Sequence, residues 1–266
     1  MLVHEAVATQ LWRDGAQTAT RDVPSEVAVA IVANGTTHAV MMATPADLQD
    51  FAIGFSLSEG LIDGLADIER FEILEHVNGV EARLWLVEAQ AQRASARRRA
   101  MAGPSGCGLC GIESLDEAMR TVRPVTGQLR MSRSEVLYAM AQLRPAQTLH
   151  ALTHAVHAAG LFNTDTGALI VREDVGRHNA LDKLVGAAAR AGLSPDRSVL
   201  LLTSRVSIEM VQKAATLGTS IIVAVSAPTN LAIRVAEQAG ITLCAIARAD
   251  GFEVFSHPDR IVTDAG

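Results

Sequence analysis

Aromatic residues are scarce in this chain. Six Phe, two Trp and one Tyr are spread over 266 residues, yet 49% of the sequence is hydrophobic. The core must therefore be built mainly from Ala, Val, Leu and Ile, a composition that suits helices packed on sheets. Cysteine is equally sparse. Three thiols, two of them in one C-x-x-C, are too few for a disulfide framework and suit a reducing compartment. Positive charge is in deficit, with a net charge of -6, which argues against general nucleic-acid binding because that draws affinity from neutralised phosphates. No apolar run is long enough for a bilayer: Ser198 to Thr203 and Ser220 to Ala227 are strand-sized. Met1 to Gln17, with His4, Glu5, Arg13 and Asp14, lacks the plan of a secretion signal. A soluble cytoplasmic protein with no membrane and no nucleic-acid partner is expected, long enough for one large domain or two of moderate size.

What is present reads as α+β first and α/β later. Val27 to Val32 and Thr36 to Val40 flank Asn34-Gly35, the dipeptide of a tight hairpin. Thr44-Pro45-Ala46-Asp47 has the form of a helix start with a capping hydroxyl, leading to the stripe Leu48, Phe51, Ala52 and Phe55 and an end near Gly60. Glu81 to Val87 alternates as a strand. From Ala89 to Gly106 periodicity fails and Arg93, Arg97, Arg98 and Arg99 cluster, as in a loop or boundary. Ser132-x-x-Glu135 is a capping box opening a helix that Pro145 limits.

Beyond Ala168, strands and helices alternate: strands over 168–171, 198–203, 220–225 and 241–247, helices over 179–191, 208–217 and 229–239. Such alternation predicts a mainly parallel sheet with ligands at the strand C-terminal ends. The division expected is an N-terminal α+β subdomain over residues 1–100 and an α/β domain over 101–266.

Chemistry concentrates in Gly106-Cys107-Gly108-Leu109-Cys110-Gly111, where glycines leave the thiols accessible and a following helix start would favour thiolate. Glu113, Asp116 and Glu117 oppose that, and Arg97 to Arg99 offset them. Redox, metal and carrier chemistry all remain open for such a pair. The run also fits G-x-G-x-x-G, but no strand precedes it. Zinc would require His154 and His157, whose spacing from the cysteines is not that of a finger, and no His-x-Glu supports a zinc deaminase. Cys244, amid apolar residues, reads as core.

A second concentration is Arg172 to Lys183, with seven titratable side chains after a strand. It is either a solvated turn or a site for an anionic ligand, with Arg172 and Arg177 as donors, Asp174 or Asp182 as orienters and His178 moving protons. Thr203 to Ser207 and Ser226 to Asn230 occupy the next strand-to-helix turns, giving one polar rim. Arg248 and Asp250 follow the last strand and should emerge at its end.

Taken together, MATPADLQDFAIGFSLSEGLI from Met42, CGLCG from Cys107, REDVGRHNALDKLVG from Arg172, SRVSIEMVQKAA from Ser204, SAPTNLAI from Ser226 and TLCAIARADGFEVF from Thr242 resemble the formate dehydrogenase accessory sulfurtransferases of the FdhD/NarQ family. The resemblance spans nearly the whole chain. It implies a homodimer with a cytidine-deaminase-like α/β core without zinc. It also implies a sulfurtransferase carrying persulfide from a cysteine desulfurase to the bis-molybdopterin guanine dinucleotide form of the molybdenum cofactor, before insertion into formate dehydrogenase. By position, Cys107 carries the persulfide and Cys110 assists. The guanine-nucleotide part is expected at Ile246, Ala247, Arg248, Ala249, Asp250 and Gly251, together with Arg172, Asp174, Arg177 and His178. A thiol-disulfide oxidoreductase and a cofactor-binding chaperone are the alternatives. Three departures stand out: His154-Ala155 replaces a usual Gly pair, Ser204 replaces a Gly, and Gly251 stands where a cation is usual.

Overall fold

The computed structural model describes residues 1–93 and 122–264. The cysteine pair at Cys107 and Cys110, the proposed boundary at residue 100 and most of the basic loop lie outside the described residues.

Two hairpins open the chain. Strands β1 (His4–Trp12) and β2 (Ala16–Pro24) form a separate two-stranded sheet, and β3 (Val27–Ala33) and β4 (Thr36–Ala43) turn at Asn34-Gly35. Both turn residues have positive φ, 46° and 76°, the geometry for which Asn-Gly is favoured. Helix α1 (Leu48–Ser58) follows, then β5 (Ile68–His76) and β6 (Gly79–Leu86). Together β4-β3-β6-β5 make a four-stranded sheet, and its Val29, Ile31, Ala82 and Leu84 enclose Phe51 and Ala52 of α1. The expected Thr44 cap is not formed. Asp47 occupies the cap position without a side-chain bond, because the Thr44 hydroxyl accepts instead from Val175 N at 3.2 Å.

Past the undescribed stretch come β7 (Met131–Ser132), α2 (Arg133–Leu143) and α3 (Thr148–Thr153). The capping box forms as read: Ser132 N donates to Glu135 Oε2 at 2.6 Å and Glu135 N to Ser132 Oγ at 3.3 Å. His154 closes α3 with a left-handed φ of 55°, a conformation natural to glycine, so the departure at this position places a side chain where backbone freedom is wanted.

The larger sheet contains β8 (His157–Asn163), β9 (Leu169–Asp174), β10 (Ser198–Leu202), β11 (Ile221–Ala224), β12 (Thr242–Arg248) and β13 (Gly251–Ser256), in the order β13-β12-β11-β10-β8-β9. Strands β9, β10, β11 and β12 all point one way, while β8 is inserted antiparallel and β13 closes the edge antiparallel. Helices α4 (Arg177–Ala191), α5 (Ile208–Leu217) and α6 (Asn230–Ala239) cover one face, meeting Leu200, Leu202, Ile222 and Leu243. Helix α2 covers the other, meeting Val199, Leu201, Ile221 and Val223. Burial on both faces explains why β10 and β11 read as unbroken apolar runs. A short strand β14 (Ile261–Val262) pairs with β7. The fold is mixed α/β. Among the described residues no helix is long and apolar enough to cross a membrane.

Candidate functional site at the strand ends

Because four strands run the same way, the turns after β9, β10, β11 and β12 share one edge of the sheet, the position where open α/β sheets present ligand contacts. They are joined into a continuous rim. His178, at the start of α4, faces Glu209 at the start of α5, with Nε2 and Oε2 4.0 Å apart. Val206 N donates to Ala227 O at 3.2 Å and Thr229 N to Val206 O at 3.0 Å, binding the second turn to the third. Ile246 N donates to Ser226 O at 3.2 Å and the Arg248 guanidinium to Val225 O at 2.6 Å, binding the third to the fourth. With strands roughly 4.8 Å apart, the rim extends about 19 Å from β9 to β12.

At the β12 end the backbone is strained. Ile246 has a φ of 53°, a left-handed conformation that is a genuine outlier for a β-branched residue. It sits at a register shift between Ala245 and Arg248, and the bulge turns the chain ahead of Ala249 and Asp250. Such strain clusters at functional sites. Arg248 is exposed but not idle: besides Val225 O it donates to Ala247 O at 2.8 Å. Arg133 donates to Asp250 O at 2.7 Å, which leaves the Asp250 carboxylate outside that bond.

The charged block divides. Arg172 lies within β9, not in the turn after it, and its guanidinium meets Asp50 Oδ2 at 2.7 Å. Asp174 is fully buried; it pairs with Lys183 at 2.7 Å and accepts from Thr44 N, Gly176 N and Asn179 Nδ2. Lys183 Nζ also donates to Thr44 O at 2.9 Å. Arg172 and Asp174, both expected at the ligand, are thus taken up in fastening the end of β4 and helix α1 to the larger sheet. Asp182, named as an orienter, pairs instead with Lys213 at 2.7 Å, and burial pushes its carboxyl pKa up.

Arg177 and His178 remain at the rim. Burial, with Arg177 alongside, depresses His178 to about 4, so its imidazole is neutral at pH 7. Glu209 is the residue that sequence reasoning missed: it lies in the first turn of α5, two residues beyond Ser207. Burial opposes its charge, but the neighbouring Ser207 hydroxyl, the α5 backbone, His178 and Arg177 together hold its carboxyl below the ordinary range. Cys244 is fully buried, and burial pushes its thiol up to about 12, which makes it an inert core residue as read.

Residues 24–262 match the sequence profile of the FdhD/NarQ family. This chain belongs to that family. Among FdhD/NarQ relatives, a protein of Agrobacterium fabrum named sulfur carrier protein FdhD is 49% identical over 261 residues, covering 97% of this chain and 96% of its own length. A protein of the same name from Cupriavidus necator is 46% identical over 263 residues, covering 98% and 91%. The fold is similar to the crystal structure of a candidate formate dehydrogenase accessory protein from Desulfotalea psychrophila, with TM-score 0.78 and 27% identity over 98% of this chain and 100% of that one.

Proposed function

We propose that this protein is a sulfur carrier for formate dehydrogenase. Cys107 takes persulfide sulfur from a cysteine desulfurase and delivers it to the bis-molybdopterin guanine dinucleotide cofactor before the cofactor enters formate dehydrogenase, with Cys110 assisting. The observation that carries this reading is identity of 46–49% along nearly the whole chain to proteins named as sulfur carriers. The rim supports it: a long polar edge with a strained segment from Ile246 to Gly251 suits a large polar cofactor better than it suits a metal. On this reading Arg177, His178 and the segment Ile246 to Gly251 contact the guanine-nucleotide part, while Arg172 and Asp174 hold the framework behind them. The carrier works in the cytoplasm, as a homodimer, without bound zinc.

The test is restoration of formate dehydrogenase activity in a host lacking its own carrier. The parent chain should restore it and Cys107→Ala should not. An oxidoreductase cycling a Cys107–Cys110 bridge would lose as much with Cys110→Ala as with Cys107→Ala, whereas a cofactor-binding chaperone would still act without Cys107. Equal restoration by parent and Cys107→Ala would end the carrier reading.

A further inference from the structure

Away from the rim, the helix-covered face holds a cavity of about 950 Å³. Leu57 at the end of α1, Val185 in α4 and Leu217 at the end of α5 line it, with Leu193 from the connection between α4 and β10. Val185 is buried, whereas Leu57, Leu193 and Leu217 pack against the core and are only half-buried. The cavity lies at the far end of the helices from the rim. Both α4 and α5 start at the rim, and Ala189 and Leu217, which line the cavity, fall in their last turns, about 13–18 Å along the helix axes at roughly 1.5 Å per residue.

Charge gathers where the lining is exposed, at Arg93, Arg123 and Asp63. The Arg93 guanidinium meets Asp63 at 2.8 Å, and its hydrogen bond, with that of Gln90, holds the Asp63 carboxyl below its ordinary range while Arg123 adds to the pull. Glu59, the other acid in the lining, is engaged by Lys213 at 3.3 Å. Two guanidiniums therefore stand around one ionised carboxylate, a local surplus of positive charge on a chain whose net charge is -6.

What is attached here gives the cavity its meaning. Arg93 and Val122, the residues on either side of the undescribed stretch, both line it, so the chain bearing Cys107 and Cys110 is tied to the cavity at both ends. Even fully extended, at roughly 3.4 Å per residue, the chain from Arg93 keeps Cys107 within about 50 Å. A protein that hands sulfur to Cys107 must bind inside that reach. The cavity offers both parts of such a contact: apolar side chains to cover a protein segment, and guanidiniums for a sulfur anion, which a donor brings as persulfide and takes away as thiolate.

We propose that this cavity is the docking surface for the sulfur donor and receives the donor's persulfide-bearing segment between α1, α4 and α5. The proposal rests on the reading that Cys107 carries sulfur, and it names where the donor binds. In the transfer the Cys107 thiolate attacks the outer sulfur of the protonated donor persulfide. A new S–S bond forms as the donor's own S–S bond breaks, Cys107 keeps the sulfur with its proton, and the donor leaves as the thiolate. Arg93 and Arg123 stabilise that departing charge. Because the rim is at the other end of α4 and α5, a docked donor leaves the strand-end edge uncovered.

Sulfur loading of the full-length protein, followed as the rate of mass gain, tests this with two sources: a cysteine desulfurase with cysteine, and inorganic polysulfide, which needs no docking surface. Arg123→Glu and Thr216→Glu change exposed residues of the lining and place a carboxylate where the donor's anion would sit. In both variants the ratio of desulfurase-driven to polysulfide-driven loading should fall roughly tenfold or more, since like charges brought together at an interface oppose association. If the ratio stays at the parent's value, the docking surface is overturned while the carrier reading stands. If both sources load the variants equally slowly, the cavity serves the chain's own thiol-bearing stretch and the proposal is likewise overturned. A parent that takes sulfur from polysulfide but none from any desulfurase would overturn the carrier reading together with it.

Discussion

Gly54 of α1 and Gly186 of α4 cross so closely that a Cβ on Gly54 would lie 1.7 Å from Asp182 O, and one on Gly186 would lie 2.0 Å from Asp50 O. Both obstacles are backbone, which cannot swing aside. The contact brings the N-terminal sheet's helix against the helix that starts at the rim. Either Gly54→Ala or Gly186→Ala should force the helices apart and destabilise the protein by about 1–3 kcal/mol or more. Thermal unfolding checks this, with a lowered midpoint expected for both variants.

The Asp174–Lys183 pair, fully buried on both sides, makes a second claim on stability. Lys183→Met leaves a buried carboxylate without its cation and should cost about 3–5 kcal/mol. Asp174→Asn combined with Lys183→Met removes both charges and should recover part of that loss. Denaturant titration of the two variants separates the outcomes; equal destabilisation would show that packing, not charge, dominates there.

Acid sensitivity should trace to His178. Its imidazole is depressed from 6.5 to about 4 by burial first and Arg177 next, against the opposing pull of Glu209. Between those values the unfolded chain binds a proton that the folded protein does not, so stability falls as pH drops from about 6.5 towards about 4 and this contribution is constant outside that window. His157, lowered by burial and by Arg177, acts in the same direction. Unfolding midpoints measured across this range should fall less steeply in His178→Gln than in the parent, with a residual slope from His157.

Much of the fold was legible from sequence. The Asn34-Gly35 hairpin, the Ser132–Glu135 box and helix Ile208–Leu217 follow from turn chemistry, capping and periodicity, and the paired-face burial of β10 shows in its apolar run. Strands β1 and β8 were not legible. Most β1 residues are exposed, so no apolar face marks it, and β8 carries small residues such as Ala158, Ala159 and Gly160. Helix α3 is only six residues long, and its first amides, Leu149 N and His150 N, are met by Glu173 from β9 at 2.8 Å, a partner no local pattern reveals.

The charged block is the instructive case for the site. Its sequence permits either a solvated turn or a ligand site, but Arg172 and Asp174 instead hold Asp50 and Thr44 across more than a hundred residues of sequence. A buried ion pair and an exposed one have the same local sequence. Glu209 was hidden for the opposite reason: it looks like an ordinary acid in the first turn of a helix, and only the fold brings His178 to it.

The arm at β12 yields a binding prediction. Arg248 is exposed while anchored on Val225 O and Ala247 O, which fixes the guanidinium without burying it. Arg248→Ala should weaken GDP binding by about 1–3 kcal/mol. Gly251, in place of a cation, should leave the parent's affinity below that of relatives carrying one. Unchanged GDP affinity in Arg248→Ala, measured calorimetrically, would make this arm only a strand end.

On the proposed function a single thiol, Cys107, carries the sulfur. Intact-mass analysis of the full-length protein after incubation with a cysteine desulfurase and cysteine tests it directly. The parent should gain a sulfur atom that a reductant removes, and Cys107→Ala should gain none while Cys110→Ala still does. No adduct on the parent, or an adduct undiminished in Cys107→Ala, would rule out Cys107 as the sulfur carrier.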